Sequence, residues 1–499
     1  MESAIQLEKE QQRKKKHPPG LYLLFFTEMW ERFSYYGLRG LLTLYLTTAL
    51  VSGGLGFSPA WALSIYGFYT GACYFTPMIG GYLTDRFLGR RKAITIGGIT
   101  MAIGNLTLFS LQNQLGLYLG LALIIIGNGF FKPNISTLVG ELYEENDPKR
   151  DSAFTIFYMG INVGSFLAPL VCGFLSENLF KTTVDGVVHY GFRYGFLAAS
   201  IGMIIGQILF TTLSNRFLGD IGKKPTRDLQ TAAGQPSVGD TPLTKKEKQR
   251  TAVIVILTCF VVFFWAGFEQ AGSSLTLYTN KFVDRSVFGW EVPTSWFQSV
   301  NPLFIILLAP VISALWAKLA TRKRGDLKIP TKMGLGMILL GIGYIILVIA
   351  TLKTGSDEHN ITEKANLLFI VFTYLFHTLG ELFLSPVGLS MVSSLAPVKL
   401  ASLLMGVWLA SSGIANILGG QLASFTTSLG YAEVFTVIGA VAIVLGCVLL
   451  LISKKLSKMD GLKKDEEFLL IFFYAFLPFS IACSYNSLCS LYSLGTKLL

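Results

Sequence analysis

The sequence predicts an all-α polytopic membrane protein in which about twelve spanning helices form two six-helix bundles around a central cavity. Three observations predict this class. Hydrophobic residues make up 52% of the 499-residue chain and charged residues only 14%, whereas a soluble domain carries about 25% charged residues. Apolar runs of about 20 residues, long enough to cross a bilayer, recur from residue 21 to residue 453. A polar, lysine-rich interruption at 215–250 divides these runs into two equal groups.

The apolar runs predict both the spans and five segments of the chain. The spans are expected at 21–50, 59–84, 92–112, 115–140, 152–177, 191–214, 251–278, 296–319, 331–352, 366–395, 402–428 and 431–453. The segments are a basic N-terminus at 1–20, an N-terminal bundle at 21–214, a linker at 215–250, a C-terminal bundle at 251–453 and a tail at 454–499. The tail contains an apolar segment at 468–483 that is short for a span.

Clusters of basic residues predict how the chain is oriented. They lie before the first span, between the second and third, after the eighth and after the twelfth, at 13–16, 86–92, 318–324 and 454–458. All fall on the side shared by both termini and the linker, and positive charge favours the cytoplasm. We therefore expect a multi-pass protein of the plasma membrane, the inner membrane in a bacterium, with cytoplasmic termini. Anionic lipid headgroups explain the net charge of +11, so no nucleic-acid partner is expected.

The first span carries more ionisable side chains than an apolar helix tolerates easily. At about 100° per residue, one face of roughly 140° collects Glu28, Glu31, Arg32, Tyr35, Tyr36 and Arg39. Later spans add Lys132, Glu269, His377 and Glu381. Each charge could belong to a fixed ion pair between two helices. Charges that lie in four spans and nearly balance instead favour one polar cavity that couples a proton to a charged solute.

Motifs for other chemistries are missing from the sequence. No HExxH or GxSxG motif, nucleotide-binding loop or cysteine pair with metal or redox spacing occurs. We therefore expect no metal and no cofactor, with a proton gradient as the driving force, and a protein that is not an enzyme. The alternative from a different class is a membrane-embedded enzyme that uses Glu and His side chains for hydrolysis or acyl transfer.

The join between the second and third spans carries a recognisable motif. Residues 81–92 read GYLTDRFLGRRK and resemble the GxLxDRxGRR signature of the major facilitator superfamily. That resemblance implies two six-helix bundles that rock around a central site. We expect a conformational role for Asp85 and Arg86, because Asp85 can pair with an arginine or cap a neighbouring helix and so hold the cytoplasmic ends of the bundles together.

Four further motifs carry a more specific resemblance. They are the ExxER motif at 28–32, a lysine ahead of a proline at 132–133, FYMGINVGS at 157–165, which is similar to FYxxINxGS, and GELFLSPVG at 380–388. Their order and their spread over both halves are typical of one family. From about residue 20 to residue 455 the chain resembles the POT family of proton-dependent oligopeptide transporters.

The resemblance implies a proton-coupled symporter that imports di- and tripeptides by alternating access and functions as a monomer in the bilayer. It implies that Arg32 and Lys132 attract the carboxylate of the peptide, while Glu381 binds its amino terminus. The other implied substrate-binding residues are Tyr36, Asn162 and Asn301 as hydrogen-bonding groups, Tyr35, Tyr74 and Trp408 as pocket walls, and Arg39. Polar groups that hold the peptide ends, together with aromatic walls, would give little selectivity for the side chains of the peptide.

Proton coupling is expected to use a second, overlapping set of residues. In our hypothesis Arg32 pairs with Glu28 or Glu31 until a proton neutralises the glutamate, and Glu31 is the favoured acceptor. Lys132 and Glu269 would form an alternating ion pair between the halves, and protonation of Glu269 would let the cytoplasmic side open.

Two alternatives concern the same cavity. Another anionic or peptide-like solute, such as nitrate or a dicarboxylate, could replace the peptide, and Glu381 separates these cases because an anion without an amino group does not need it. His377 lies one helical turn before Glu381. It is either a packed, hydrogen-bonded histidine, the interpretation we favour, or a proton carrier.

Overall fold

The computed structural model describes residues 17–144, 147, 149–225, 243–322, 326–354, 363–397 and 400–459, without the side chains of residues 151, 389, 390, 393, 401 and 402. Twelve long helices run through this part of the chain, and we name them α1 to α12. In chain order they are Pro19–Thr47, Pro59–Leu83, Arg90–Ser110, Gln114–Glu141, Lys149–Phe174, Phe192–Leu218, Lys245–Phe268, Val300–Ala320, Ile329–Thr354, Leu367–Leu395, Ala401–Ser424 and Tyr431–Met459.

Ten of the helical segments are long and apolar enough to cross a membrane. The first two helices, α1 and α2, are not among them. The charges of Glu28, Glu31, Arg32 and Arg39 lower the mean hydropathy of α1, and α2 is rich in glycine, tyrosine and threonine. The prediction of an all-α polytopic membrane protein is confirmed, and ten of the twelve expected spans qualify by apolarity alone.

The predicted seventh span is interrupted, which the sequence analysis did not foresee. Helix α7 ends at Phe268, a 3₁₀ turn follows at Glu269–Gly272, and a short helix at Ser274–Phe282 continues the path. Gly272, at the end of this turn, permits a close approach to α2, because a Cβ there would lie 1.8 Å from the hydroxyl of Tyr66. Its carbonyl also accepts a hydrogen bond of 2.6 Å from Thr43. The interruption therefore brings the backbone of the second half against helices α1 and α2.

The remaining elements are short and lie at helix ends and in loops. Further 3₁₀ turns occupy Leu50–Ser52 and Thr294–Ser299, π-helical turns occupy Thr84–Leu88 and Leu175–Leu179, and a four-residue helix occupies Thr426–Leu429. The strands are β1 Thr182–Val184, β2 Val187–His189, β3 Val283–Asp284, β4 Ser286–Val287, β5 Trp290–Glu291 and β6 Ala365–Asn366. Antiparallel pairs form between β1 and β2 and between β4 and β5, while β3 pairs with β6 in parallel.

Two large apolar cores hold the helices together. One is built from buried side chains of α1 to α6. The other is built mainly from α7 to α12 and includes Leu63 of α2. A smaller cluster around Trp316 joins α8 and α10 and contacts Tyr158 of α5. The core residues thus divide between two bundles, and the space between the bundles is available for a site.

Polar residues mark the side at which the two bundles are linked, which we call the linker side. Helix α6 reaches Leu218 and α7 begins at Lys245, so both helices extend into the predicted linker at 215–250. Thr244 caps α7, since its hydroxyl accepts from the Glu247 amide at 3.2 Å while its own amide donates to the Glu247 carboxylate at 2.7 Å. Arg91 holds the chain after α6 through the carbonyl of Gly219 at 2.7 Å.

Several sequence predictions fall outside the described residues. They concern the basic cluster at 13–16, the middle of the linker at 226–242, the basic residues 323–324 and the tail from 460 onwards with its apolar segment at 468–483.

Candidate functional site

A cavity of about 240 Å³ lies between the two bundles. Side chains of α1, α2 and α5 form one wall. Side chains of α7, α8 and α10 and of the turns Glu269–Gly272 and Thr294–Ser299 form the other. The first wall consists of Tyr36, Arg39, Tyr74, Tyr158, Ile161, Asn162 and Ser165. The second consists of Trp265, Phe268, Glu269, Ala271, Gln298, Asn301, Pro302, Ile305, Tyr374, His377, Glu381 and Ser385. The cavity is therefore lined by aromatic and amide groups, with a cation on one wall and two carboxylates on the other.

Arg39 and Glu269 form an ion pair across the two walls. Arg39 Nη2 lies 2.5 Å from Glu269 Oε2, and both side chains are largely buried. Arg39 Nε also donates to the hydroxyl of Tyr66 at 2.8 Å, and its guanidinium lies 5.4 Å from the centre of the Tyr36 ring. Buried charges of this kind need both partners, because removal of one leaves the other unpaired in a medium of low dielectric constant.

Glu381 is held in place on the second wall. Asn301 Nδ2 donates to Glu381 Oε2 and to the hydroxyl of Thr378, each at 2.9 Å. Asn301 is the second residue of α8, whereas Thr378 and Glu381 share one face of α10. The amide thus fixes the orientation of a carboxylate at the edge of the cavity, where it can accept hydrogen bonds from a bound ligand.

The ExxER residues form a compact ionic cluster within the first bundle. Arg32 Nε lies 3.1 Å from Glu28 Oε1 and also contacts the carboxylate of Glu31. All three side chains are buried. Glu28 Oε2 and Glu31 Oε1 have no hydrogen-bond partner among the described residues. Two carboxylates therefore share one guanidinium away from water, an arrangement that one added proton would bring to charge balance.

Lys132 lies behind the first wall. Its Nζ is 4.0 Å from the centre of the Tyr74 ring, and Tyr74 itself lines the cavity. The face of an aromatic ring attracts a cation, so Tyr74 both shields Lys132 and stabilises its charge.

The cavity is closed on the side opposite the linker. Helices α2 and α11 approach so closely there that a Cβ on Gly67 would lie 2.7 Å from Gly420 Cα. The Thr43–Gly272 hydrogen bond and the Arg39–Glu269 pair join the bundles on the same side. These contacts hold the two bundles together on the side opposite the linker.

The structure brings together seven of the predicted substrate and coupling residues and leaves the others outside the cavity. Those that line it are Tyr36, Arg39, Tyr74, Asn162, Glu269, Asn301 and Glu381. Those that lie behind its walls are Glu28, Glu31, Arg32, Tyr35, Lys132 and Trp408. Trp408 is only 7% exposed and belongs to the core of the second bundle, where its ring packs against Gly388. Trp408 is not among the residues that line the cavity in this structure, because its ring lies against Gly388 of α10, and its role as a wall residue stays a prediction.

Two predicted contacts differ from those observed. The expected pair between Lys132 and Glu269 is not formed, because Arg39 lies level with Glu269 and takes its place. Asp85 lies 3.4 Å from Arg90 of its own bundle, and Arg90 also pairs with Glu141 at 2.6 Å. Arg86 donates to the hydroxyl of Tyr82 at 2.6 Å. The expected role of Asp85 and Arg86 between the bundles stays a prediction.

His377 is buried and lines the cavity, with its ring 4.8 Å from that of Tyr344. Its Nε2 abuts Gly343, where a Cβ would lie 2.8 Å away, and finds no hydrogen-bond partner among described residues. The packed interpretation fits this environment.

Sequence reasoning missed several wall residues. Tyr158 stands inside the FYMGINVGS motif, and Trp265 and Phe268 immediately precede Glu269, so their motifs could have indicated them. Gln298 and Tyr374 carried no such signal. Within the described ranges, no group of three or more His, Cys, Asp or Glu side chains is placed to hold a metal ion.

Comparison with known proteins identifies the family. A model of the POT family matches residues 91–228 and 237–444, which is more than half of the chain. The uncharacterized transporter YclF of Bacillus subtilis is 36% identical, over 89% of this chain and 95% of its own length. The peptide transporter YePEPT of Yersinia enterocolitica is 34% identical, over 81% and 87%.

A solved structure agrees with this match. The crystal structure of a mutant of a peptide transporter POT in complex with alafosfalin has a TM-score of 0.79 and 33% identity, and the match covers 89% of this chain and 96% of that one. The family and its structures are transporters and not enzymes, so the predictions of a non-enzyme and of a major-facilitator architecture are confirmed. The chain belongs to the POT family of membrane transporters.

Proposed function

We propose that the protein imports di- and tripeptides together with protons by alternating access. The observation that carries the proposal is the cavity between the bundles, whose walls present Arg39 on one side and Glu269 and Glu381 on the other. A zwitterionic peptide has a carboxylate and an ammonium group at its two ends, so it matches walls of opposite charge. The relative YePEPT, named a peptide transporter, supports this substrate class.

Glu381 would bind the ammonium group of the peptide. Its carboxylate is already oriented by Asn301, so little ordering is needed when the ligand arrives. Asn162 and Tyr36, on the facing wall, would hydrogen-bond to the peptide backbone. An inorganic anion or a dicarboxylate lacks the ammonium group and gains nothing from Glu381.

Cations of the first bundle would bind the carboxylate of the peptide. Lys132 lies directly behind Tyr74, so a rotation of that ring would open a path from the cavity to the ammonium group. Arg32 is held by Glu28 and Glu31. A proton on either glutamate would weaken this hold and free the guanidinium for the peptide.

The Arg39–Glu269 pair would supply the second coupling step. It joins the bundles on the side opposite the linker, so protonation of Glu269 would weaken the closure there. We place the linker side in the cytoplasm, with both termini, because the basic clusters lie there. The proton gradient would then drive peptide transport by a monomer in the inner membrane, and no cofactor would be needed.

Uptake of labelled dialanine into proteoliposomes with an imposed pH gradient tests the substrate class. Free alanine, di-, tri- and tetra-alanine, nitrate and succinate serve as competitors. We expect competition by dialanine and trialanine alone. Competition by nitrate or succinate, without competition by the peptides, would refute the proposal.

A carboxylate exchange tests the role of Glu381. Glu381→Gln should weaken dialanine binding by about 100-fold or more, since a buried charge loses its partner. The matched control is Glu433→Gln, the same change at an exposed position in the first turn of α12. Equal dialanine affinity in the Glu381 and Glu433 variants would contradict the assignment.

A third variant separates proton coupling from binding. Glu31→Gln should abolish proton-driven accumulation and leave peptide counterflow measurable, because the guanidinium of Arg32 stays in place. Full proton-driven uptake by this variant would exclude Glu31 as the coupling group.

A further inference from the structure

We propose that Glu177 is a positioning residue that keeps the cavity closed on the side opposite the linker. It lies in the π-helical turn Leu175–Leu179 that follows α5 in the first bundle. Its side chain reaches the 3₁₀ turn Thr294–Ser299 that leads into α8 of the second bundle. Only 7% of its surface is exposed, although no cation pairs with it among the described residues.

The carboxylate of Glu177 caps the start of that turn. Glu177 Oε2 accepts from the backbone amide of Thr294 at 2.7 Å, and Oε1 accepts from the amide of Ser295 at 3.1 Å. Amides at the start of a helical segment have no partner within the segment, and a negative charge there is favourable. Glu177 thus satisfies, from the opposite bundle, two groups that would otherwise need water.

Neighbouring groups reinforce the same contact. Trp296 Nε1 donates to the carbonyl of Leu170 at 2.9 Å, and the hydroxyl of Ser299 donates to the carbonyl of Phe166 at 2.7 Å. A Cβ on Gly173 would lie 1.9 Å from the hydroxyl of Ser295, so only glycine permits this approach. We call these contacts of residues 166–179 with Thr294–Ser299 the Glu177 latch.

The latch is continuous with the second wall of the cavity. Gln298 lies in the latched turn and lines the cavity. Asn301, two residues beyond the end of that turn at Ser299, donates a hydrogen bond to Glu381. Closure of the latch therefore sets the position of the groups that face the ligand, and its opening must hydrate a carboxylate and two amides together.

A second ion pair between the bundles provides a contrast. Lys181 Nζ lies 3.5 Å from Glu291 Oε2 on the same side, but Glu291 is 54% exposed. Exposed pairs contribute little, because water and salt screen them. We therefore assign the closure to the buried Glu177 and not to the exposed Glu291.

Cysteine accessibility tests the latch in full-length protein in proteoliposomes sorted for one orientation. Ser165→Cys places a thiol on the cavity wall, in a background without the native cysteines. A membrane-impermeant maleimide is added on the side opposite the linker. Glu177→Gln should raise the labelling rate about tenfold or more. The NH₂ group of the glutamine would face a backbone amide that is itself a donor, and a charge-assisted hydrogen bond would be lost. Glu291→Gln, the matched control, should stay within about twofold.

Trp296→Phe offers an independent test, because it removes only the bond to the carbonyl of Leu170 and should raise the labelling rate severalfold. Parental labelling rates in both the Glu177 and Trp296 variants would overturn the inference, as would an equal rise in the Glu291 variant. The inference rests on the alternating access proposed above. Labelling requires neither peptide nor proton gradient, so a failed uptake assay and a failed latch are distinguishable.

Discussion

Replacing Gly67 by alanine should open the side of the protein opposite the linker. The Cβ of the alanine would lie 2.7 Å from Gly420 Cα and 2.9 Å from the carbonyl oxygen of Asn416. Carbon atoms in contact normally stand about 3.5–4.0 Å apart, so α2 and α11 must separate by about 1 Å. Overpacking of this kind costs about 1–3 kcal/mol, which corresponds to a shift of about 5- to 150-fold toward open conformations.

Distances between spin labels measure that shift. Val184→Cys and Phe288→Cys, both exposed on the opposite side, place one label on each bundle. In Gly67→Ala we expect a longer-distance population to grow relative to the parent. The matched control is Gly406→Ala on α11, where a Cβ meets nothing within 4 Å.

Gly420→Ala should reproduce the effect, because its Cβ would lie 2.6 Å from Gly67 Cα. A parental distance distribution in both the Gly67 and the Gly420 variants would refute the reasoning. The same shift in Gly406→Ala would show that helix propensity, and not the α2–α11 contact, sets the equilibrium.

The other predictions concern an ion pair, a core residue and a titrating histidine. Arg39→Gln and Glu269→Gln should each lower the thermal stability of the closed state, and the two losses together should exceed the loss in the double variant by about 0.5–3 kcal/mol. Additive losses would argue against the pair. Trp408→Ala should lower the free energy of unfolding by about 3–5 kcal/mol, because the ring lies in the core. Trp408→Phe should keep the parental KM for dialanine, and a changed KM would indicate that Trp408 contacts the substrate. Burial and the charge of Lys149 lower the pKa of His17 from its ordinary value of 6.5, so the unfolded chain binds the proton first and stability should fall as the pH drops below about 6.5. His17→Gln should flatten this slope in melting curves between about pH 7.5 and pH 5.5, and an unchanged slope would exclude the histidine.

Much of the fold followed from local pattern. Helix α4 was predicted at 115–140 and runs over Gln114–Glu141, and helix α10 was predicted at 366–395 and runs over Leu367–Leu395. A membrane span must satisfy its own backbone hydrogen bonds and cover about 30 Å of hydrocarbon, so its signal is contained in one stretch of sequence. The motifs likewise indicated the family, because each motif is a short stretch of sequence that can be recognised without the structure.

The break at Glu269–Gly272 could not be read from that pattern. The predicted span at 251–278 runs through it, and the glycine in the break lies close to Tyr66 on a helix some 200 residues earlier. The same holds for Trp408, whose surroundings in the sequence suit a cavity wall and a core equally well. Only the rotation of α11 against α10 decides between them.

The sequence by itself determined that charged residues lie inside the spans and that they must find partners there. Which partners they find was decided by the tertiary structure. Glu269 pairs with Arg39 and not with Lys132, and Glu177 caps a turn in the other bundle. Coulombic attraction and hydrogen bonds fall off over a few ångströms, so these choices depend on the height and rotation of each helix, which only the packing of the two bundles sets.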